Sequence, residues 1–220
     1  MGAAVGLIIF LAAAIALSAE GGNKTITNPD AGLTDAQRAQ NYSSGRDAFN
    51  ARYQQWLASI DFSKVNYASL KRVPLNALYE SPQPSLSAAK AHAELILVGK
   101  VRAIRPTAFD GTYVTLDIDG LMKGSASASV IIHQAGGLRP TPDWKGMFIA
   151  YALDEPLLIP NDRAVLFLNR GSTGTLEVQG FTGLYRSTGG RVSAVAGNPF
   201  AQDVDGRSEV DFIAMVKAQA

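Results

Sequence analysis

Residues 1–19, Met1 to Ala19, carry no charged side chain, and only Gly2, Gly6 and Ser18 interrupt the apolar run. A helix rises about 1.5 Å per residue, so about 20 such residues cross a hydrocarbon core roughly 30 Å thick. Three readings fit the run: a retained transmembrane anchor, a cleavable signal peptide and a buried core helix. A signal peptide has a basic start and a small-residue cleavage site. Ala16-Leu17-Ser18-Ala19 supplies the second, but no Lys or Arg precedes the run. The length favours an anchor over residues 1–19. Residues 20–33 follow as a flexible tether, with Gly21, Gly22 and Pro29 among small polar residues. The expectation is a membrane-anchored chain whose globular part is extracytoplasmic, in the periplasm or on the cell surface.

The next segment, residues 34–84, reads as an amphipathic helix and an extended connector. Thr34 and Gln37 have the spacing of a capping box. Tyr42, Phe49, Tyr53, Trp56 and Ile60 recur at helical intervals and share one stripe. Ser43-Ser44-Gly45 lowers helix propensity within it, which allows a kink or two shorter helices. The stripe either packs on the chain's own globular domain or docks on another protein, since aromatics are enriched in interface cores. Val73-Pro74 and Glu80-Ser81-Pro82-Gln83-Pro84 cannot continue a helix and mark the boundary.

From residue 85 to 220 the period changes to that of strands. Residues 94–104 form a long aliphatic and β-branched run, with a bend at Gly99. Residues 113–119 alternate, with Val114, Leu116 and Ile118 on one face and Thr115, Asp117 and Asp119 on the other. Further strands are expected at 130–133, 164–168, 175–178, 184–186 and 191–195, separated by Gly- or Pro-rich turns. A short helix precedes them near Ser87–His92. Another follows from a capping box at Ser208 and Asp211, presenting Val210, Ile213, Met215 and Val216 to the core. The fold class is mainly β: a small antiparallel OB-like barrel with a C-terminal helix, preceded by the transmembrane helix and the amphipathic helix.

Four stretches carry a resemblance: Ala93–Val101, Leu121-Met122-Lys123-Gly124, Arg163–Leu168 and Gly183-Leu184-Tyr185-Arg186. Over roughly residues 90–217 the chain resembles the netrin-like, OB-type domains of secreted and envelope proteins. The resemblance implies a closed barrel in an extracytoplasmic protein. In the related tissue inhibitors of metalloproteinases, an N-terminal cysteine carries inhibition. This chain has no cysteine at all, so that activity does not carry over.

The absent cysteine also excludes a disulfide scaffold, a thiolate metal site and a cysteine nucleophile. A net charge of +1 with mixed signs argues against nucleic acid. There is no Gly-x-Ser-x-Gly elbow, phosphate-binding loop or dinucleotide fingerprint. His92 and His133, the two histidines, read as structural or solvent-facing. Asp203, Asp205 and Glu209 have partial calcium-loop spacing, but a turn followed by a helix N-terminus explains them as well. No cofactor and no catalytic residue is expected. The two long excursions, 135–146 with Trp144 and 151–160 with Leu157, Leu158 and Ile159, either contact a partner or fold onto the barrel. With the helix residues Tyr42, Phe49, Tyr53 and Trp56, these are the partner-binding candidates.

The resulting expectation is a non-enzymatic accessory or adaptor subunit of a larger membrane complex, such as a respiratory or photosynthetic one. A secreted OB-like domain binding a small ligand or peptide, and a pilin-like filament subunit, are the alternatives.

Overall fold

The computed structural model describes residues 32–75 and 81–218. The expected membrane span, 1–19, and all but the last two residues of the tether lie outside them. No helix among the described residues is long and apolar enough to cross a membrane. The chain divides into two compact units, Met1–Phe49 and Asn50–Ala220.

Helix α1 runs Asp35–Ala58, without interruption at Ser43-Ser44-Gly45. Its start is closed as the spacing predicts: Gln37 N–H donates to Thr34 Oγ1 (3.2 Å), and Thr34 N–H donates to Gln37 Oε1 (2.9 Å). Within the first unit every described helical residue is exposed.

In the second unit, the last turns of α1 lead to β1 (Arg72–Pro74), α2 (Leu86–His92), β2 (Leu95–Pro106) and β3 (Thr112–Lys123). β4 (Ser129–Gln134), β5 (Gly136–Pro140), β6 (Met147–Tyr151), β7 (Arg163–Arg170) and β8 (Leu176–Val178) follow. The chain ends with β9 (Leu184–Thr188), β10 (Arg191–Ala194), α3 (Ala201–Val204) and α4 (Glu209–Ala218). Five strands form a closed ring in the order β7-β2-β3-β4-β8-β7. All neighbours in the ring are antiparallel except β4 and β8, which run parallel. One edge of β7 is shared. Residues 163–166 pair with β9, and residues 168–170 pair with β8 and close the barrel.

Burial explains the two strand patterns. The first half of β2 (Leu95–Val98) and the middle of β7 (Ala164–Leu168) are buried on both faces and are therefore continuously apolar, whereas Lys100, Arg102 and Arg105 of β2 reach solvent. Leu95, Leu97, Leu166 and Leu168 fill the barrel, while Ile96, Val98, Val165 and Phe167 face α2 and α4. β3 is covered on one face only. Val114 and Leu116 point inward with no exposure, and Asp119 is exposed. β2 coils around the barrel through register shifts between Ile96/Leu97, Val98/Gly99 and Val101/Ala103. Gly99 sits at one of them, where a Cβ would lie 2.5 Å from the Asp117 carbonyl oxygen. Gly99→Val is therefore expected to break the β2–β3 ladder. Loss of the cooperative unfolding transition, seen by circular dichroism, is the expected result; a near-native midpoint would refute this role for Gly99.

Two expectations are corrected. The excursion 135–146 is not a plain loop. Its first half is β5, which pairs with β6, and β1 joins β6 in parallel to make a second, three-stranded sheet. Gly136 and Gly137, with φ of 89° and 144°, turn the chain from the barrel into this sheet. On α4, Val210 is 75% exposed and does not reach the core. Phe212 reaches it in place of Val210, while Val216 enters the core and Ile213 and Met215 pack half-buried against it as expected, because the helix is oriented by its N-terminus. There Ser208 Oγ accepts from Asp211 N–H (3.0 Å), and both Arg163 guanidinium contacts to the Glu209 carboxylate are 2.8 Å.

Candidate interaction surface

The second sheet has an open edge at β5, and the end of α1 covers it. Tyr53, with no exposure, donates its hydroxyl to the Leu138 carbonyl at 2.6 Å. Arg139 Nη1 donates to the Tyr53 hydroxyl (3.1 Å) and to the Thr107 carbonyl (2.7 Å). Bare strand edges template unwanted pairing, so a side chain that takes a β5 carbonyl protects the sheet. Burial raises the Tyr53 phenol above its ordinary range, with the Arg139 charge opposing. The hydroxyl therefore stays a neutral donor.

Next to it lies a ring and guanidinium stack. Tyr53 and Trp56 have centroids 5.3 Å apart, Trp56 meets Trp144 edge-on at 6.5 Å, and the Arg52 guanidinium lies 4.2 Å over Trp144. Trp144 occupies the hairpin tip with φ of 61°, a left-handed conformation costing on the order of 1–2 kcal/mol. The tip holds it there. Thr141 Oγ–H donates to Asp143 Oδ1 (2.6 Å), Lys145 N–H donates to the same oxygen (3.1 Å), and Gly146 N–H donates to Thr141 Oγ1 (2.9 Å). Aromatic and cation–π contacts of about 0.5–1.5 kcal/mol each offset the strain. Below the helix, Gln54, Leu57, Ala58 and Ile104–Thr107 line a shallow groove of about 360 Å³.

Most of the sequence-selected apolar residues converge on the chain's own cores. Leu157, fully buried, packs with Tyr67, Leu138 and Ile149, and half-buried Trp56 and Ile159 lie against the same cluster. Leu158, also fully buried, enters the barrel core. Leu157 and Leu158 are thus closed to a partner in this conformation. Their excursion bridges two hydrophobic clusters, and burying them there stabilises the loop more than solvent would. Tyr42 (64% exposed) and Phe49 (37% exposed) remain at the surface.

The calcium candidates are not brought together. Both Glu209 oxygens hold Arg163, Asp205 Oδ1 accepts from Ala194 N–H (2.7 Å), and Asp203 lies within α3. Among the described residues no group of three His, Cys, Asp or Glu side chains is arranged to hold a metal ion. His92 Nδ1 faces the Asn169 amide at 2.9 Å, and His133 contacts the Asp110 carbonyl and lies 3.7 Å from Glu177.

Sequence reasoning missed a row on the outer face of the barrel. Register places Arg105, Tyr113, His133 and Glu177 side by side across β2, β3, β4 and β8. Arg105 lies 4.6 Å over the Tyr113 ring, whose centroid is 5.3 Å from that of His133. Beside the row, Ile131 is 55% exposed opposite Thr115. The alternation of β3 assigns Tyr113 to the outer face, but only strand pairing supplies its neighbours.

No protein-family model matches the chain, and no curated protein is detectably similar to it in sequence.

Proposed function

We propose that the chain is a non-enzymatic, membrane-anchored extracytoplasmic adaptor that fastens onto a larger membrane complex. The observation that carries this reading is α1. From Asp35 to Arg52 every residue is exposed, Tyr42 and Phe49 included, whereas Tyr53 and Trp56 are held by the β5–β6 hairpin. Helices gain most of their stability from packing one face, so a long helix with exposed aromatics is suited to a partner. The barrel supports the resemblance to OB-type domains. Numbering its strands by order in the chain, the ring reads one-two-three-five-four, with the third and fifth parallel. In this reading residues 1–19 hold the chain at the bilayer, and the β5–β6 hairpin holds the last turns of the docking helix.

A photo-crosslinking residue placed at Tyr42 or Phe49 in native membranes is expected to yield one discrete adduct with an integral membrane protein. The chain itself should resist alkaline extraction and retain Met1 or Gly2 by intact mass. Recovery of a soluble monomer beginning near Glu20, without adduct, would overturn the proposal. A second reading, a secreted OB-like domain for a small ligand or peptide, is favoured by the outer row of Arg105, Tyr113 and His133 beside exposed Ile131. It predicts that soluble, N-terminally cleaved form.

A further inference from the structure

The groove below the last turns of α1 runs beside a strand edge. β7 covers β2 only over Leu95–Lys100. Val101 is held by the chain that leads into β7: its N–H donates to the Asp162 carbonyl (2.8 Å), and its carbonyl accepts from Asn161 N–H (2.9 Å). Beyond Val101, no strand of the described residues lies on that side of β2. The hairpin end shows which backbone groups point there. Thr107 N–H donates to the Gly111 carbonyl (2.8 Å). Antiparallel pairing alternates from that position, so Arg105 opposite Tyr113 and Ala103 opposite Thr115 bond to β3. Ile104 and Pro106 therefore turn their backbone outward. Neither Ile104 group is taken by a loop or a side chain among the described residues. Proline has no N–H, so the edge offers one donor, at Ile104, and two acceptors, at Ile104 and Pro106.

The side chains around this edge supply two chemistries. Leu57, Phe62 and Ile104, all half-buried, form an apolar wall of the groove, whose volume is about 360 Å³. Arg105 is the one charged side chain among the described residues that line it. Its guanidinium is stacked 4.6 Å over the Tyr113 ring, which holds it on the outer face and leaves its edge donors to an anion. Arg102, in contrast, is already matched by Asp117 at 3.1 Å. A second copy pairing about Ile104 would set the Arg105 side chains of both copies along one seam, where like charges oppose. A small molecule would stay open to solvent in so shallow a groove, whereas pockets for such ligands bury most of the ligand's surface.

We propose that the outer edge of β2 at Ile104–Pro106 takes an extended peptide segment of a partner protein, in which one acidic residue lies between two apolar ones. An antiparallel segment sets one apolar residue opposite Ile104, where both backbone hydrogen bonds are exchanged. The other stands opposite Pro106, whose carbonyl accepts its N–H. Both apolar side chains fall on the Ile104 side of the added strand, beside Leu57 and Phe62. The acidic residue between them alternates to the outer face and stands opposite Arg105, with Cβ atoms about 4.5–5.5 Å apart. A missing N–H at Pro106 keeps the edge short, which suits a short segment and discourages open-ended pairing. The groove contains neither Tyr42 nor Phe49, so this site goes beyond the docking helix.

The test titrates the isotope-labelled full-length chain, in detergent micelles, with the acetylated and amidated peptide Thr-Val-Glu-Val-Thr. The Ile104 amide and the Leu57 and Phe62 side-chain signals should shift saturably, and the Ile104 amide should become protected from exchange. Arg105→Glu, at an exposed position, should keep the unfolding midpoint and weaken binding about tenfold, the combined effect of losing one cross-strand charge pair and gaining a like-charge one. The same variant should prefer Thr-Val-Lys-Val-Thr. N-methylation of the valines should abolish binding, whereas N-methylation of the central glutamate, whose N–H points away from the edge, should be tolerated. Unmoved Ile104 signals, equal affinity in Arg105→Glu, or full binding by the valine-methylated peptide would each overturn the proposal. So would saturation of the same signals by hexanoate at equal affinity, or by the chain's own dimerisation without peptide. Failure here leaves the crosslinking result expected at Tyr42 and Phe49 untouched.

Discussion

Tyr53→Ala is expected to lower the stability of the barrel unit by about 3–5 kcal/mol, the usual cost of emptying a buried aromatic site. The side chain has no exposure, and its loss leaves the Leu138 carbonyl and the Arg139 guanidinium without the hydroxyl that both contact. Tyr53→Phe keeps the ring and removes only the hydroxyl, so about 1–3 kcal/mol is expected, the range for stranding a buried polar group. The comparison separates packing from edge protection. Trp56 and Trp144 are the chain's two tryptophans and both belong to this cluster, so their emission reports on it directly. A red shift should accompany Tyr53→Ala at denaturant concentrations where the barrel stays folded. An unchanged unfolding midpoint and unchanged emission would show that the helix end is not held by this residue.

The second large effect lies on the other side of the barrel. Phe212, with no exposure, stacks against Tyr185 with centroids 4.7 Å apart, in the cluster that joins α2 and α4 to the back of β2 and β7. Phe212→Ala is expected to cost about 3–5 kcal/mol. At roughly 2–4 °C per kcal/mol for a domain of this size, the midpoint of thermal unfolding should fall by about 6–20 °C. Val210→Ala on the same helix, at a position 75% exposed, should stay within about 0.5 kcal/mol. Equal effects for the two substitutions would contradict the orientation of α4. Tyr185 offers a spectroscopic check, since burial pushes its phenol up to about 12. Opening a cavity beside it in Phe212→Ala should bring its ionisation closer to that of an ordinary tyrosine.

The parts of the fold that could be read from the sequence are those written in local period. The continuous apolar runs of β2 and β7, the alternation of β3 and the boxes at Thr34 and Ser208 each depend on residues within one element. β5 could not be read this way. Gly136-Gly137-Leu138-Arg139-Pro140 has little strand propensity, and it is a strand because β6 pairs one edge while Tyr53 and Arg139 both donate to the Leu138 carbonyl. The same limit applied to the surface. Tyr42, Phe49, Tyr53 and Trp56 share a helical spacing, yet the spacing does not distinguish the exposed pair from the pair held by the hairpin. Arg105, Tyr113 and His133 come from three strands, and nothing in their local sequence indicates that they form a row.

The sequence by itself determined a mainly β domain with bounded helices, an uncharged, largely apolar segment at residues 1–19, and the absence of cysteine chemistry. Tertiary structure alone decided that β8 returns parallel to β4 and closes the ring, and that Leu157 and Leu158 turn inward. Both leucines have no exposure, and the ring closes through the Ile132–Leu176 and His133–Glu177 pairs. The physical reason is that periodicity records which side of an element is apolar, whereas partner and register are set by pairing between distant segments. A slip of one residue there reverses every face.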